Sequence, residues 1–245
     1  MDAARNLWKN FETMTELSYV LRKGFEVCGI YTIDVGGPVK IFSDPEMLIR
    51  PESTAEHSAR VANLLSEIML WYPQYFTKVD HFLVCKTALN HDIGEVEVGD
   101  VCDDGGRAHD LKADAEWKAV KAFYGHLPTK IEAKMLDYHR QFEDCNTLLG
   151  QMIKMADKVD AIGKLILFEQ RGLKGNVYLK DPPSKRDVKF AKMIGTGNCT
   201  DVWARHLKWL FETNDFRQPV IDIATDFLTV GLESIGRPLF PWWST

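Results

Sequence analysis

At 245 residues, 45% hydrophobic and 27% charged, the chain can bury a full core, as one domain or as one domain with extensions. A formal charge of −5 and a pI near 5.8 argue against a binder of nucleic-acid polymers, which needs a basic face, but not against small phosphorylated substrates. Five cysteines (Cys28, Cys85, Cys102, Cys145, Cys199), odd in number and without a C-x-x-C pair, read as reduced thiols; no apolar run is long enough for a membrane span and the N-terminus lacks a signal-peptide core, so the cytoplasm is the expected compartment.

In chain order, Leu7, Trp8, Phe11, Met14, Leu17, Val20 and Leu21 recur at helical spacing, predicting an amphipathic helix over 5–25. Residues 30–47 mix β-branched side chains with Gly36-Gly37-Pro38, which predicts irregular chain or a short hairpin, the one expected place for β structure. Ser53 and Glu56 have capping-box spacing, so a helix is expected over 54–71 with an inward stripe of His57, Val61, Leu64, Leu65 and Ile68. After Tyr72-Pro73 a second helix is expected over 79–94, with Phe82, Cys85, Ala88 and Leu89 inward. The polar, glycine-rich stretch 99–110 reads as a loop. Helices follow at 111–125 and 129–140, split at Leu127-Pro128, and again from Leu149 to about Gly172. Asp181 to Asp187 is a turn or linker, and two amphipathic helices carry Val202, Leu207, Leu210, Phe211 and then Val220, Ile223, Ala224, Phe227, Leu228, Leu232. The aromatic tail Leu239 to Trp243 reads as a strap across the domain's own surface, or as a segment that seeks a partner groove.

The chemistry concentrates in His91-Asp92-Ile93-Gly94-Glu95, followed by Gly99-Asp100. Neighbouring His91 and Asp92 can grip one ion only if further ligands come from elsewhere. His57 points inward from its helix, and Asp157 adjoins the stripe Leu149, Met152, Ala156, Val159, where an acidic side chain needs a partner. Taken alone, His57 also fits a hydrogen-bonded core histidine, and Asp157 half of an ion pair with Lys154 or Lys158. On a continuous helix Glu95 would share a face with His91, within reach of a bound water.

The order His57, His91-Asp92, Asp157 resembles the HD-domain metal-dependent phosphohydrolases. Arg50-Pro-Glu-Ser-Thr-Ala-Glu-His57, His91-Asp-Ile-Gly-Glu95 with Gly99-Asp100, and Lys154-Met-Ala-Asp157 are similar to the branch with the bacterial 5'-deoxynucleotidases and their eukaryotic HD-domain relatives. The resemblance covers roughly residues 46–170. It implies an all-α HD-domain helical bundle as the core, over 46–175; the chain outside it reads as an N-terminal extension over 1–45 and a C-terminal helical extension over 176–245, whose helices pack on the core or form an oligomer contact, the first being preferred. It also implies a homodimer acting on a small phosphorylated nucleotide, most specifically a (deoxy)ribonucleoside 5'-monophosphate, without nucleic-acid polymer or membrane.

Two imidazoles and two carboxylates at His57, His91, Asp92 and Asp157 suit Mn²⁺, Co²⁺, Fe²⁺, Ni²⁺ or Zn²⁺ better than Ca²⁺. Glu95 is the candidate for orienting or deprotonating water, or for protonating the leaving alcohol. Asp100 resembles the family's aspartate at the substrate, as a catalytic and substrate-binding candidate, and Arg50 is a candidate phosphate clamp. His109 and His139 would matter if a second metal were bound, although their contexts match no strong dinuclear pattern. Other readings are an HD-type phosphodiesterase, a guanosine tetraphosphate hydrolase, and a metal-binding regulatory module without turnover. Glu95-Val96 departs from the acidic pair usual in tetraphosphate hydrolases and Glu95 from the lysine usual in cyclic-dinucleotide enzymes, while Glu95 and Asp100 together argue against a retired site.

Overall fold

The first helix begins where its capping box says it should. Ser53 holds extended backbone, its hydroxyl accepts from the Glu56 amide at 3.3 Å, and the Glu56 carboxylate accepts from the Ser53 amide at 3.0 Å. Two donors that a helix start leaves open are thereby satisfied, and α1 runs Thr54–Trp71. The computed structural model describes residues 52–99, 107–170, 172, 176–177 and 197–243. These fall in two compact units, Glu52–Lys154 and Met155–Thr245. The helix expected over 5–25, the irregular stretch 30–47, and the linker after Asp181 lie outside the described residues.

In the first unit, α1 packs against α2, His81–Leu89. A four-residue helix α3, Glu95–Val98, packs against α4, Arg107–Tyr124, and α5, Thr129–Asp144, packs against both α2 and α4. The core between them holds Val61, Leu65, Leu83, Val84, Ala88, Val120, Tyr124, Met135, Phe142, Met152 and Ile153. Helix α5 ends at Cys145, whose left-handed backbone (φ 52°) turns the chain. The Gln151 side chain then donates to the Cys145 carbonyl at 2.9 Å, and the Thr147 hydroxyl accepts from the Gly150 amide at 3.0 Å. This corner starts α6, Leu148–Gln170, whose residues from Met155 onward belong to the second unit.

The structure departs from the sequence pattern at three places. Helix α2 stops at Leu89 rather than continuing to 94, and its inward stripe is Leu83, Val84, Thr87 and Ala88. Phe82, expected inside, is 73% exposed. The inward face is set by the packing of α1 on α2, and periodicity over nine residues fixes that phase poorly. The polar stretch after Gly99 is already helical from Arg107. Finally, a two-residue antiparallel ladder, β1 (Asn176–Val177) with β2 (Gly197–Asn198), forms where no β structure was expected. A ladder this short leaves no alternation of side chains to read.

In the second unit, α7 (Cys199–Thr213) starts directly from β2 with Asn198 as cap, and α8 spans Gln218–Glu233. Val202, Leu207, Phe211, Val220, Ile223, Ala224, Leu228 and Leu232 are buried with Val159, Ile162, Leu165 and Ile166 of α6. Arg237 ties the chain after α8 back to this core: its guanidinium donates to both oxygens of Glu169 at 3.1 and 2.9 Å and to Asp201. The aromatic tail is a strap on its own unit. Phe240 and Trp243 are buried, and the Trp243 indole donates to the Thr225 hydroxyl at 2.8 Å. Among the described residues the architecture is all-α apart from the β1–β2 ladder, and no helix is long and apolar enough to cross a membrane.

Candidate metal centre

The end of α2 builds the centre. Asn90 caps the helix, its amide donating to the carbonyls of Lys86 and Thr87 at 3.1 Å each. The chain then turns repeatedly through three-residue hydrogen bonds, Ile93 to Asn90, Glu95 to Asp92 and Glu97 to Gly94. His91, Asp92 and Glu95 are therefore not on one continuous helix as the spacing predicts, but on a wound turn that ends in α3. An asparagine is a poor helix continuer and a good C-terminal residue, which the apolar pattern on either side conceals.

The His91 ring is buried, and its Nδ1 donates to the Ala88 carbonyl at 2.7 Å. That bond places the proton on Nδ1 and leaves Nε2 as the donor atom for a metal. Nε2 of His91 lies 3.2 Å from Oδ2 of Asp92, and Nε2 of His57 lies 3.9 Å from the same oxygen. The two imidazoles meet edge to face, with ring centroids 5.2 Å apart. Ligand atoms of His57, His91 and Asp92 all lie within 4.8 Å of one another. Two donors at ~2.1 Å from a shared ion are roughly 3 to 4 Å apart, so the donor spacing and the nitrogen–oxygen set fit a divalent transition metal.

Glu95, at the first position of α3, is buried, and its Oε2 accepts from the Thr54 hydroxyl at 3.0 Å. Thr54 opens α1, one turn before His57, so one helix start presents both a candidate ligand and a contact to the candidate proton-transfer carboxylate. Sequence reasoning missed Thr54, and no local signal marks it, because its partner is 41 residues away. Between Asp92 and Glu95, Gly94 presses on α4: a Cβ there would stand 2.8 Å from Cβ and 3.0 Å from Cα of Glu116.

Behind His91 stands Phe142 of α5, its ring edge to face with the imidazole at 5.3 Å. His139 lies one turn earlier, buried, with its ring 6.0 Å from Phe142 and 6.1 Å from Trp117. Burial pushes His139 down to about 4; Glu143 opposes the shift, while His91 and Lys154 add to it. The imidazole is therefore neutral at ordinary pH. Lys154, on α6, sets its ammonium over the Phe142 ring, 3.5 Å from the centroid.

Asp157 lies further along α6, in the second unit. Its carboxylate is buried and pairs with Lys158 at 2.9 Å, one of the two ion pairs that its sequence position allowed. Arg50, Asp100 and the side chain of His109 lie outside the described residues.

Residues 44–190 match the family model of the HD domain. The chain is also similar to the 5'-deoxynucleotidase HDDC2 of Dictyostelium discoideum, with 25% identity over 123 residues, 49% of this chain and 65% of that protein. It thus spans a little under two thirds of that relative's length. Among solved structures, it resembles an HD-domain phosphohydrolase from Listeria innocua (18% identity, 97% of this chain and 96% of that one, TM-score 0.56). A protein described as a predicted metal-dependent phosphohydrolase from Magnetospirillum magnetotacticum aligns similarly (15% identity, 97% and 100% coverage, TM-score 0.53). At these identities the structural likeness is one of fold. With a family model matched over more than half of its length, and a His-His-Asp group able to hold a metal within the matched region, the chain belongs to the HD-domain family.

Proposed function

We propose that this protein is a divalent-metal-dependent phosphohydrolase, and specifically a 5'-nucleotidase that releases phosphate from (deoxy)ribonucleoside 5'-monophosphates. The observation that carries the hydrolase reading is the convergence of His57, His91 and Asp92 in a chain of the HD-domain family. The nucleotide substrate is supported by the similarity to the Dictyostelium 5'-deoxynucleotidase. The family resemblance carries the expectation of a homodimer, which light scattering at micromolar concentration would test.

His57, His91 and Asp92 would hold the ion, with Asp157 as fourth ligand on the strength of the family pattern and its buried carboxylate. When bound, a divalent ion supplies Lewis-acid polarisation of the phosphoryl group and acidifies water. Glu95, fixed by Thr54, orients the attacking water and takes its proton, or returns one to the leaving 5'-oxygen. Asp100 is assigned to the sugar and Arg50 to the phosphate. The Phe142 ring packs edge to face with His91 and adds an apolar contact beside the centre.

The experiment is phosphate release from a panel of ribo- and deoxyribonucleoside 5'-monophosphates by chelator-stripped protein refilled with Mn²⁺, Co²⁺, Fe²⁺, Ni²⁺, Zn²⁺ or Mg²⁺. Release that needs a metal and disappears in His91→Ala is expected, with Glu95→Gln keeping the metal and losing ~10²-fold in turnover. Stoichiometric metal binding without release from any nucleotide would favour a different phosphoester or a regulatory role. Full turnover in a metal-free variant would end the hydrolytic reading.

A further inference from the structure

Lys154 has spent little of its charge. Its side chain is only 15% exposed, yet among the described residues its one ion pair is to Glu143 at 3.7 Å, a carboxylate itself 53% exposed. An ammonium carries three N–H donors, and no hydrogen bond takes any of them among the described residues. The neighbouring Lys158, by contrast, is engaged by Asp157 at 2.9 Å. The Lys154 ammonium rests on the face of Phe142, 3.5 Å from the centroid, and the same ring meets His91 edge to face at 5.3 Å. A largely desolvated cation with open donors is costly to keep unless an anion completes it.

Its surroundings keep the charge available. His139, a second titratable side chain beside Phe142, is held neutral by burial, and the Lys154 charge itself contributes to that. Glu143, four residues on along α5, faces both His139, at 3.9 Å, and Lys154. It is exposed enough to swing into water when a stronger anion arrives.

We infer that Lys154 is an anion-binding residue of the metal centre, and that its ligand is a non-bridging oxygen of a phosphate group, with Glu143 as the carboxylate the phosphate displaces. This rests on the proposed metal-dependent hydrolysis for its placement, and it deepens that reading by assigning the phosphate a second cation in addition to Arg50. A dianionic phosphomonoester brings both charges and acceptor oxygens, which a lone ammonium on an aromatic face lacks.

The test uses the full-length chain, stripped and reloaded with Mn²⁺, with inorganic phosphate as probe and isothermal calorimetry as readout. Metal content is measured in every variant. Lys154→Met keeps the stem's volume and removes the charge, and should weaken phosphate at least ~10-fold with the metal retained; Lys154→Arg should stay within ~3-fold. Glu143→Gln, a change at an exposed position, should tighten phosphate by ~2- to 5-fold, because it removes the competing carboxylate. Unchanged phosphate affinity in Lys154→Met, no phosphate binding by the wild type, or loss of the metal in Lys154→Met would each overturn the assignment. Phosphate binding that depends on Lys154, in a protein that cleaves no nucleotide, would uphold the anion site and count only against the hydrolase reading.

Discussion

Gly94→Ala isolates the packing that holds the ligand turn in place. Gly94 has ordinary helical backbone angles (φ −62°, ψ −26°), so an alanine meets no conformational penalty there. What it meets is α4: the new Cβ would stand 2.8 Å from Glu116 Cβ, 3.0 Å from its Cα and 3.1 Å from its Cγ. Carbon atoms settle at about 3.5–4.0 Å, so relief requires a displacement of roughly 0.7 Å. Two of the three obstructing atoms are at or next to backbone in mid-helix, so the ligand turn is the part that moves. Overpacking of this kind costs about 1–3 kcal/mol, offset by about 0.4–1 kcal/mol from the stiffer unfolded chain. The net loss, on the order of 1–2 kcal/mol, should lower the melting temperature by roughly 2–8 °C in a chain of this size. Because Gly94 lies between Asp92 and Glu95, metal affinity should fall on the order of 10-fold as well. Urea unfolding of the metal-free protein gives the first quantity and a calorimetric metal titration the second. Gly99→Ala is the contrasting case, with nothing within 4 Å of the added Cβ but a backbone at φ 74° and ψ 166° that glycine alone adopts freely. If Gly94→Ala were as stable as the wild type and bound metal equally well, the turn would not be wedged against α4 and the reasoning would be wrong.

Thr54→Val removes the buried hydroxyl that Glu95 accepts and nearly preserves volume, so unfolding free energy should drop by about 1–2 kcal/mol while Thr54→Ser retains most of it; valine and serine behaving alike would show the hydrogen bond to be idle. In the second unit, Arg237→Met leaves the buried Glu169 without its guanidinium and should cost on the order of 3 kcal/mol, much of it recovered when Glu169→Gln is added. Additive effects in thermal unfolding would refute that coupling. His139 sets a pH dependence: its folded value of about 4 lies below the ordinary 6.5, so the unfolded chain takes the proton first. Its contribution is complete above pH 6.5 and is lost as pH falls from 6.5 towards 4, with a span of at most ~3 kcal/mol. His139→Phe should flatten the stability profile in that window, and parallel profiles for both proteins would contradict the neutral, buried assignment.

Local sequence was enough for much of the helical frame. The Ser53–Glu56 capping box fixes the start of α1, because a cap is decided by residues within one turn. Pro128 stands as the cap of α5, in the short break after α4 ends at Tyr124, since proline removes a donor and restricts its predecessor. The amphipathic repeats of α7 and α8 were legible for the same reason, each long enough for a 3.6-residue period to stand out. His57 could be placed inward from its stripe, and the order of His57, His91, Asp92 and Asp157 resembled a metal-binding family, of which His57, His91 and Asp92 form a group able to hold an ion.

What the sequence could not supply were relations between residues far apart in the chain or crowded into a few positions. The break of α2 at Asn90 turned His91, Asp92 and Glu95 from one helical face into a wound turn, a choice made by cap hydrogen bonds and by the pressure of Glu116 on Gly94. The phase of α2, with Phe82 outside and Leu83 inside, was set by the helices packed on it. The Thr54–Glu95 bond and the Lys154–Phe142–His91 contacts join residues that no spacing relates. Helix periodicity and caps are short-range and survive in the linear order of residues; the direction of a ligand's lone pair and the company of a buried charge exist only once separate helices pack.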